Sequence, residues 1–145
     1  MGKAHLEIVK RALIEQIKDL TSAIDSLKGE LMNESKSALG DKHETARAKM
    51  QLEMERLAAL VANKERELNK LSVIRFNEKQ SAVQKGSLVK TDIGTILIAI
   101  AFGKIADHGF MAISDQAPMA KKLMGLEKGE RLEMNGKFIL IQEID

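Results

Sequence analysis

Asp41 and Glu44 are the side chains in this 145-residue sequence whose types and spacing could do chemistry together. Two carboxylates three apart at a helix start lie on one side of the chain and offer hard oxygen donors to a divalent cation such as Mg²⁺. Two donors are too few to hold that ion tightly, so the remaining ligands would have to come from a partner. The same spacing is also a capping-box pattern, in which the Asp accepts from free amides of the first turn and the Glu reaches back to the cap's own amide. Residue chemistry alone leaves both readings open. Lys42, Arg47 and Lys49 set cations just behind the acids. That arrangement suits a phosphate backbone beside a carboxylate-held ion, and equally an ordinary salt-bridged helix face. His43, on a different face of the turn, reads as a solvated surface histidine, while His5 and His108 have no partner at metal-ligand spacing.

The elements that must position this pair are written as a mirror on either side of it. Large apolar residues fall at Leu13, Ile17, Leu20, Ile24, Leu27 and Leu31, and again at Met50, Met54, Leu57, Val61, Leu68 and Leu71. Both are alternating four-and-three seams of a coiled coil. Antiparallel pairing sets Leu31 against Met50, Leu27 against Met54, Ile24 against Leu57 and Leu20 against Val61, so the numbers of each pair sum to 81. The fold point then lies between Gly40 and Asp41, and a glycine there suits a tight turn. Arms of roughly 30 residues make a rod on the order of 45 Å long, with the two acids at its far end. Glu15, Lys18, Asp19, Asp25, Lys28 and Glu30 form the solvated outer face of the first arm. Lys64 interrupts the second seam opposite Ile17, where a lone lysine fixes register with its stem packed and its head in water.

Beyond Ser72 the pattern changes to short strands. Residues 86–90 and 95–100 flank a turn at 91–94, Gly103 and Asp107-His108-Gly109 read as turns, and Phe110–Ser114 reads as a third strand. Pro118 opens a short helix that stops at Gly125. Residues 130–134 and 137–142 form a hairpin across Asn135-Gly136, a strong type I′ signal. The expected organisation is α+β: an antiparallel coiled-coil hairpin over 1–75 with an acidic tip near 40–44, a linker over 76–85, and a small domain over 86–145. That small domain holds no Ser-His-Asp set, no phosphate-cradling glycine loop and no metal cluster, so no stand-alone active site is expected in it.

Composition narrows the class further. Apolar residues make up 44% of the chain and aromatics only 3%, which suits a coiled coil packed with Leu, Ile and Met. A net charge of +2 is too small to argue for a nucleic-acid partner by itself. The absence of cysteine excludes disulfides, thiolate metal sites and a Cys nucleophile, and fits a reducing cytoplasm. The most apolar stretch, 93–102, is about half the length needed to span a bilayer, and the start of the chain lacks the apolar core of a signal peptide. A soluble, cytoplasmic, monomeric protein without a membrane partner is expected.

A long helical hairpin with Gly40-Asp41-x-x-Glu44 at its tip, followed by Ala117-Pro118-Met119-Ala120-Lys121-Lys122-Leu123-Met124-Gly125-Leu126-Glu127-Lys128-Gly129-Glu130, resembles the bacterial Gre transcript cleavage factors. The resemblance covers nearly the whole chain. It implies an FKBP-like C-terminal domain that docks on RNA polymerase, with Pro118 at the contact, and a coiled coil that enters the secondary channel. Asp41 and Glu44 would then help to hold a Mg²⁺ shared with the polymerase, and Lys42, Arg47 and Lys49 would face RNA phosphates. The factor would be no enzyme alone, nor would it bind a cofactor tightly when free. It would activate the polymerase to cleave backtracked nascent RNA near its 3′ end. The tip departs from the family's Gly-Asp-x-x-Glu-Asn-Ala-Glu-Tyr, reading Thr45-Ala46-Arg47-Ala48 after the glutamate, and Gln116-Ala117 precede Pro118 where the family often has Asp-Ser or Asn-Ser. An alternative is therefore a Gre-like regulator that occupies the channel without stimulating cleavage.

Overall fold

The computed structural model describes residues 2–36, 41–75 and 80–145, with the side chains of 34–36 and 41–43 outside the description. The expected turn at Gly40 and residues 76–79 of the expected linker lie outside the described residues. Two long helices, α1 (Gly2–Lys36) and α2 (Asp41–Ser72), precede six strands and a short helix. The strands are β1 (Leu88–Thr91), β2 (Gly94–Ala99), β3 (Gly103–Ile105), β4 (Phe110–Ser114), β5 (Arg131–Met134) and β6 (Lys137–Ile144), with α3 (Pro118–Leu123) between β4 and β5. The architecture is α+β. Contacts group the chain into two compact units, one of Ala12–Leu68 and the other of Met1–Arg11 with Asn69–Asp145.

In the hairpin unit, the two helices bury the seams predicted from the apolar spacing. Leu13 and Leu57 are buried, and Ile17, Leu20, Ile24, Leu27, Leu31, Met50, Met54, Val61 and Leu68 are half-buried. The charged residues from Glu15 to Glu30 noted above are exposed. Each buried Leu, Ile or Val side chain contributes roughly 1.5–3 kcal/mol, so packing along the seams, more than helix propensity, holds the pair together. Lys64 is half-buried in its seam and its Nζ donates to Gln16 Oε1 at 2.8 Å. That bond ties α2 to the residue beside Ile17, in the antiparallel register whose pairs sum to 81. On the outside of α2, Arg56 donates twice to the Glu53 carboxylate, at 2.6 and 2.9 Å, which holds that carboxyl below its ordinary range.

In the sheet unit, the strand order is β3-β4-β2-β1-β6-β5, with β2 and β4 parallel and the other pairs antiparallel. One sheet face carries Val89, Ile96, Ile98, Ile139 and Ile141, which form a core with Ala120 and Leu123 of α3, Leu132 of β5 and Val83. Lys122 Nζ donates to the Glu133 carbonyl at 2.8 Å and ties α3 to β5. On the opposite face Leu88, Leu97, Ala112 and Phe110 are buried, and the His5 ring stands edge-on to Phe110 with centroids 4.7 Å apart. Asn135 and Gly136 both take positive φ, 54° and 78°, as a type I′ turn demands. The sequence predicts a turn at Gly103. The chain there forms instead a three-residue edge strand opening on that glycine (φ +100°), too short to show an alternating pattern.

Val83 is buried and its carbonyl accepts from the Gly125 amide at 2.9 Å, while Ala82 bridges to Glu127. This stretch before β1 is therefore fastened to the segment after α3. Gly86 lies beneath Ile74 and Arg75, with φ +95°, and a Cβ there would meet the Arg75 carbonyl oxygen and Ile74 Cγ2, each at 3.0 Å. Only glycine meets both demands without strain.

Candidate functional site

Helix α2 opens on Asp41, so its first turn carries both Asp41 and Glu44. Residues three apart on a helix are neighbours on its surface. The first turn also carries amides without helical partners and the positive end of the macrodipole, both favourable to carboxylates. Because the helix already includes Asp41, the acceptor of a capping box would fall one residue earlier, at position 40, outside the described residues. Glu44 is exposed. From Asp41 to Leu68 the helix rises about 40 Å at 1.5 Å per residue, so within the hairpin unit the two acids stand at the end remote from Leu68.

The three cations predicted to stand behind the acids do not share one environment. Lys49 is exposed, whereas Arg47 is half-buried. Arg47 lies three residues before Met50, which continues the seam of α2 toward its start and turns the residue toward α1. In the antiparallel register it stands opposite position 34. The side chains of Asp41, Lys42 and His43 lie outside the described residues. Among those that are described, no group of three or more His, Asp or Glu could hold a metal ion.

Pro118 belongs to the sheet unit. It is the first residue of α3 and is exposed, preceded by Ala117 in extended conformation (φ −63°, ψ 144°). Its lead-in turn is braced twice by Ser114, whose carbonyl accepts from the Ala117 amide at 3.0 Å and whose Oγ accepts from the Gln116 amide at 3.1 Å. Asp115 lies 3.9 Å from Lys85 Nζ. A proline at the first helical position loses no helical hydrogen bond and enters with its φ already set. Asp41, Lys42, Glu44, Arg47 and Lys49 thus share the opening turns of one helix, and Pro118 opens another in a different unit.

Sequence reasoning passed over Arg131, Phe138 and Leu140. Phe138 is 56% exposed and Leu140 39% exposed, on the face of β6 opposite the core residues Ile139 and Ile141. The Arg131 guanidinium lies over the Phe138 ring, 4.7 Å from its centroid. A signal was available: Phe138-Ile139-Leu140-Ile141 is apolar at both parities, so the strand needs cover on two faces, and one face is bare.

No helix among the described residues is long and apolar enough to cross a membrane. No protein-family model matches the chain, and no curated protein matches it. Among solved structures it is similar to the GreA factor homolog 1 (Gfh1) protein of Thermus thermophilus, at 20% identity over 94% of both chains, with a TM-score of 0.37. A second structure, of the transcription factor Gfh1, aligns at 19% identity over 93% of this chain and 92% of the other, with a TM-score of 0.36.

Proposed function

We propose that this chain is a transcription elongation factor that binds RNA polymerase, enters its secondary channel with the helical hairpin and stimulates cleavage of backtracked nascent RNA. The observation that carries the reading is the placing of Asp41 and Glu44 together on the first turn of α2, about 40 Å from Leu68 in the hairpin unit. Two acids at the end of a slender hairpin are poorly placed to serve a pocket of their own and well placed to complete another protein's site. The tip and Pro118 motifs support the same reading. As hard oxygen donors, two carboxylates fit Mg²⁺ and would fill two of its roughly six positions, so the polymerase must supply the rest. When bound, the ion supplies Lewis acidity at the scissile phosphate. The part of this chain is to deliver both carboxylates together, so that they would help to hold the ion and position an attacking water.

The second reading, a channel-occupying regulator without cleavage activity, is favoured by Arg47. Where the family tip has a second glutamate, this chain has an arginine, turned half into the seam. A stalled elongation complex decides between the two. With Mg²⁺ and the purified protein, release of short 3′ RNA fragments is expected. Asp41→Asn and Glu44→Gln should each lower the release rate by on the order of 100-fold while leaving polymerase binding unchanged. Binding without fragment release by the unaltered chain would establish the regulator instead.

A further inference from the structure

The four-and-three spacing of the α1 seam does not stop at Leu13 but runs back through Lys10, Leu6 and Lys3. In the register whose pairs sum to 81, Lys10 stands opposite Leu71, and α2 ends at Ser72. The seam of α1 therefore outruns its partner. A cavity of about 520 Å³ opens there, lined by Lys3, Leu6, Glu7 and Lys10 on one side and by Leu71 and Ile74 on the other. All six belong to the unit that contains the sheet, and the volume lies within the roughly 300–1,000 Å³ of small-molecule sites. Both walls are fixed in advance. On a different side of α1 Val9 is fully buried and the His5 ring packs edge-on against Phe110, while on the facing wall Leu71 is buried and Ile74 lies against Gly86, where a Cβ would not fit. A preformed cavity needs little ordering when a ligand enters.

The lining has a chemical preference. Lys3 and Lys10 are two helical turns apart, about 10 Å along the axis, and their four-carbon stems let both ammonium groups converge on one polyanion. Neither they nor Glu7 has an ion pair among the described residues. Lys10 is half-buried in the seam with its charge uncompensated, a position that an incoming anion improves. Ser72 Oγ donates to the Asn69 carbonyl at 2.7 Å and the Ile74 amide to the Leu71 carbonyl at 3.2 Å, so the closing turn of α2 turns fewer free carbonyls toward that anion. Glu7 stands between the lysines, one turn from each, where a carboxylate accepts hydrogen bonds from the vicinal hydroxyls of a sugar. Leu6, Leu71 and Ile74 supply an apolar floor for a flat base. A bare oxyanion would use only the lysines and be repelled by Glu7. A nucleotide uses all three features.

We infer that the cavity beside the first turns of α1 binds a nucleoside polyphosphate, with Lys3 and Lys10 on the phosphates, Glu7 on the ribose hydroxyls, and Leu6, Leu71 and Ile74 under the base. The inference stands apart from the proposed function. Its test is calorimetric titration of the full chain with ATP, beside adenosine, tripolyphosphate and the dideoxy analogue of ATP, which lacks the vicinal hydroxyls. Saturable binding of ATP is expected, tighter on the order of tenfold than that of adenosine or tripolyphosphate. Lys10→Gln should weaken it by about tenfold and the more exposed Lys3→Gln by less, whereas Lys10→Arg should retain most of it, with melting temperatures unchanged. Glu7→Ala should erase the parent's preference for ATP over the dideoxy analogue. A parent that does not bind ATP saturably overturns the inference, as does an ATP affinity that neither lysine substitution changes. Tripolyphosphate bound as tightly as ATP, with the same loss in the lysine variants, overturns the nucleotide assignment and leaves a plain polyanion site.

Discussion

Glycine positions illustrate how one residue type carries opposite meanings at different places in this chain. Gly86 sits at φ +95° with the Arg75 carbonyl and Ile74 pressed against the space a Cβ would fill, while Gly29, exposed on α1, has nothing within 4 Å of that space. Gly86→Ala should therefore destabilise the protein by about 2 kcal/mol, from backbone strain and displacement of residues 74 and 75. Gly29→Ala should stabilise it by up to about 1 kcal/mol, by removing helix-interior glycine entropy. Thermal or urea unfolding checks both, and equal effects of the two changes would refute the argument. Neither difference is legible in the sequence, since it depends on what chain passes overhead. Arg47 is different: its half-burial could have been foreseen, because it falls three before Met50 in the seam count. Reading it only as a member of a charged tip concealed that.

At the level of elements, the two long helices were the most legible part of the chain, because a four-and-three seam repeated over several turns averages out local noise. The mirror about position 40.5 also foretold the antiparallel register, which the Lys64–Gln16 bond now marks at one point. A lysine in a seam trades stability for a defined alignment. Lys64→Leu should raise the unfolding free energy by about 1 kcal/mol through added apolar burial while loosening register. Spin labels on cysteines introduced at the solvent-facing Glu30 and Gln51 of this cysteine-free chain would read the register directly. A single narrow distance is expected in the parent and a broader distribution in the Lys64→Leu variant; a broader distribution already present in the parent would show that Lys64 sets nothing. The sheet was legible where strands ran four residues or more between turn signals. It was illegible at β3, whose three residues carry no period.

Taken whole, the chain divides between two units of opposite net charge, with Asp41 and Glu44 on the first turn of a helix in one and an exposed, helix-opening Pro118 in the other. The hairpin unit carries 9 Lys and Arg against 11 Asp and Glu, a net of −2, and the sheet unit 14 against 10, a net of +4. The candidate acids were found from their spacing, but their purpose was legible only through the family resemblance, since two carboxylates on a first turn are equally good helix chemistry. The symmetric seam makes the length of the helical pair an adjustable quantity. Removing residues 21–27 from one arm and 54–60 from the other takes one heptad from each, keeps every remaining apolar position in phase, and withdraws the acids by about 10 Å without altering them. Such a chain should stay folded by circular dichroism and still bind polymerase, yet release no RNA fragments from a stalled complex. The hairpin would then be a measuring stick, whose graduations are heptads and whose calibration belongs to the depth of the partner it probes.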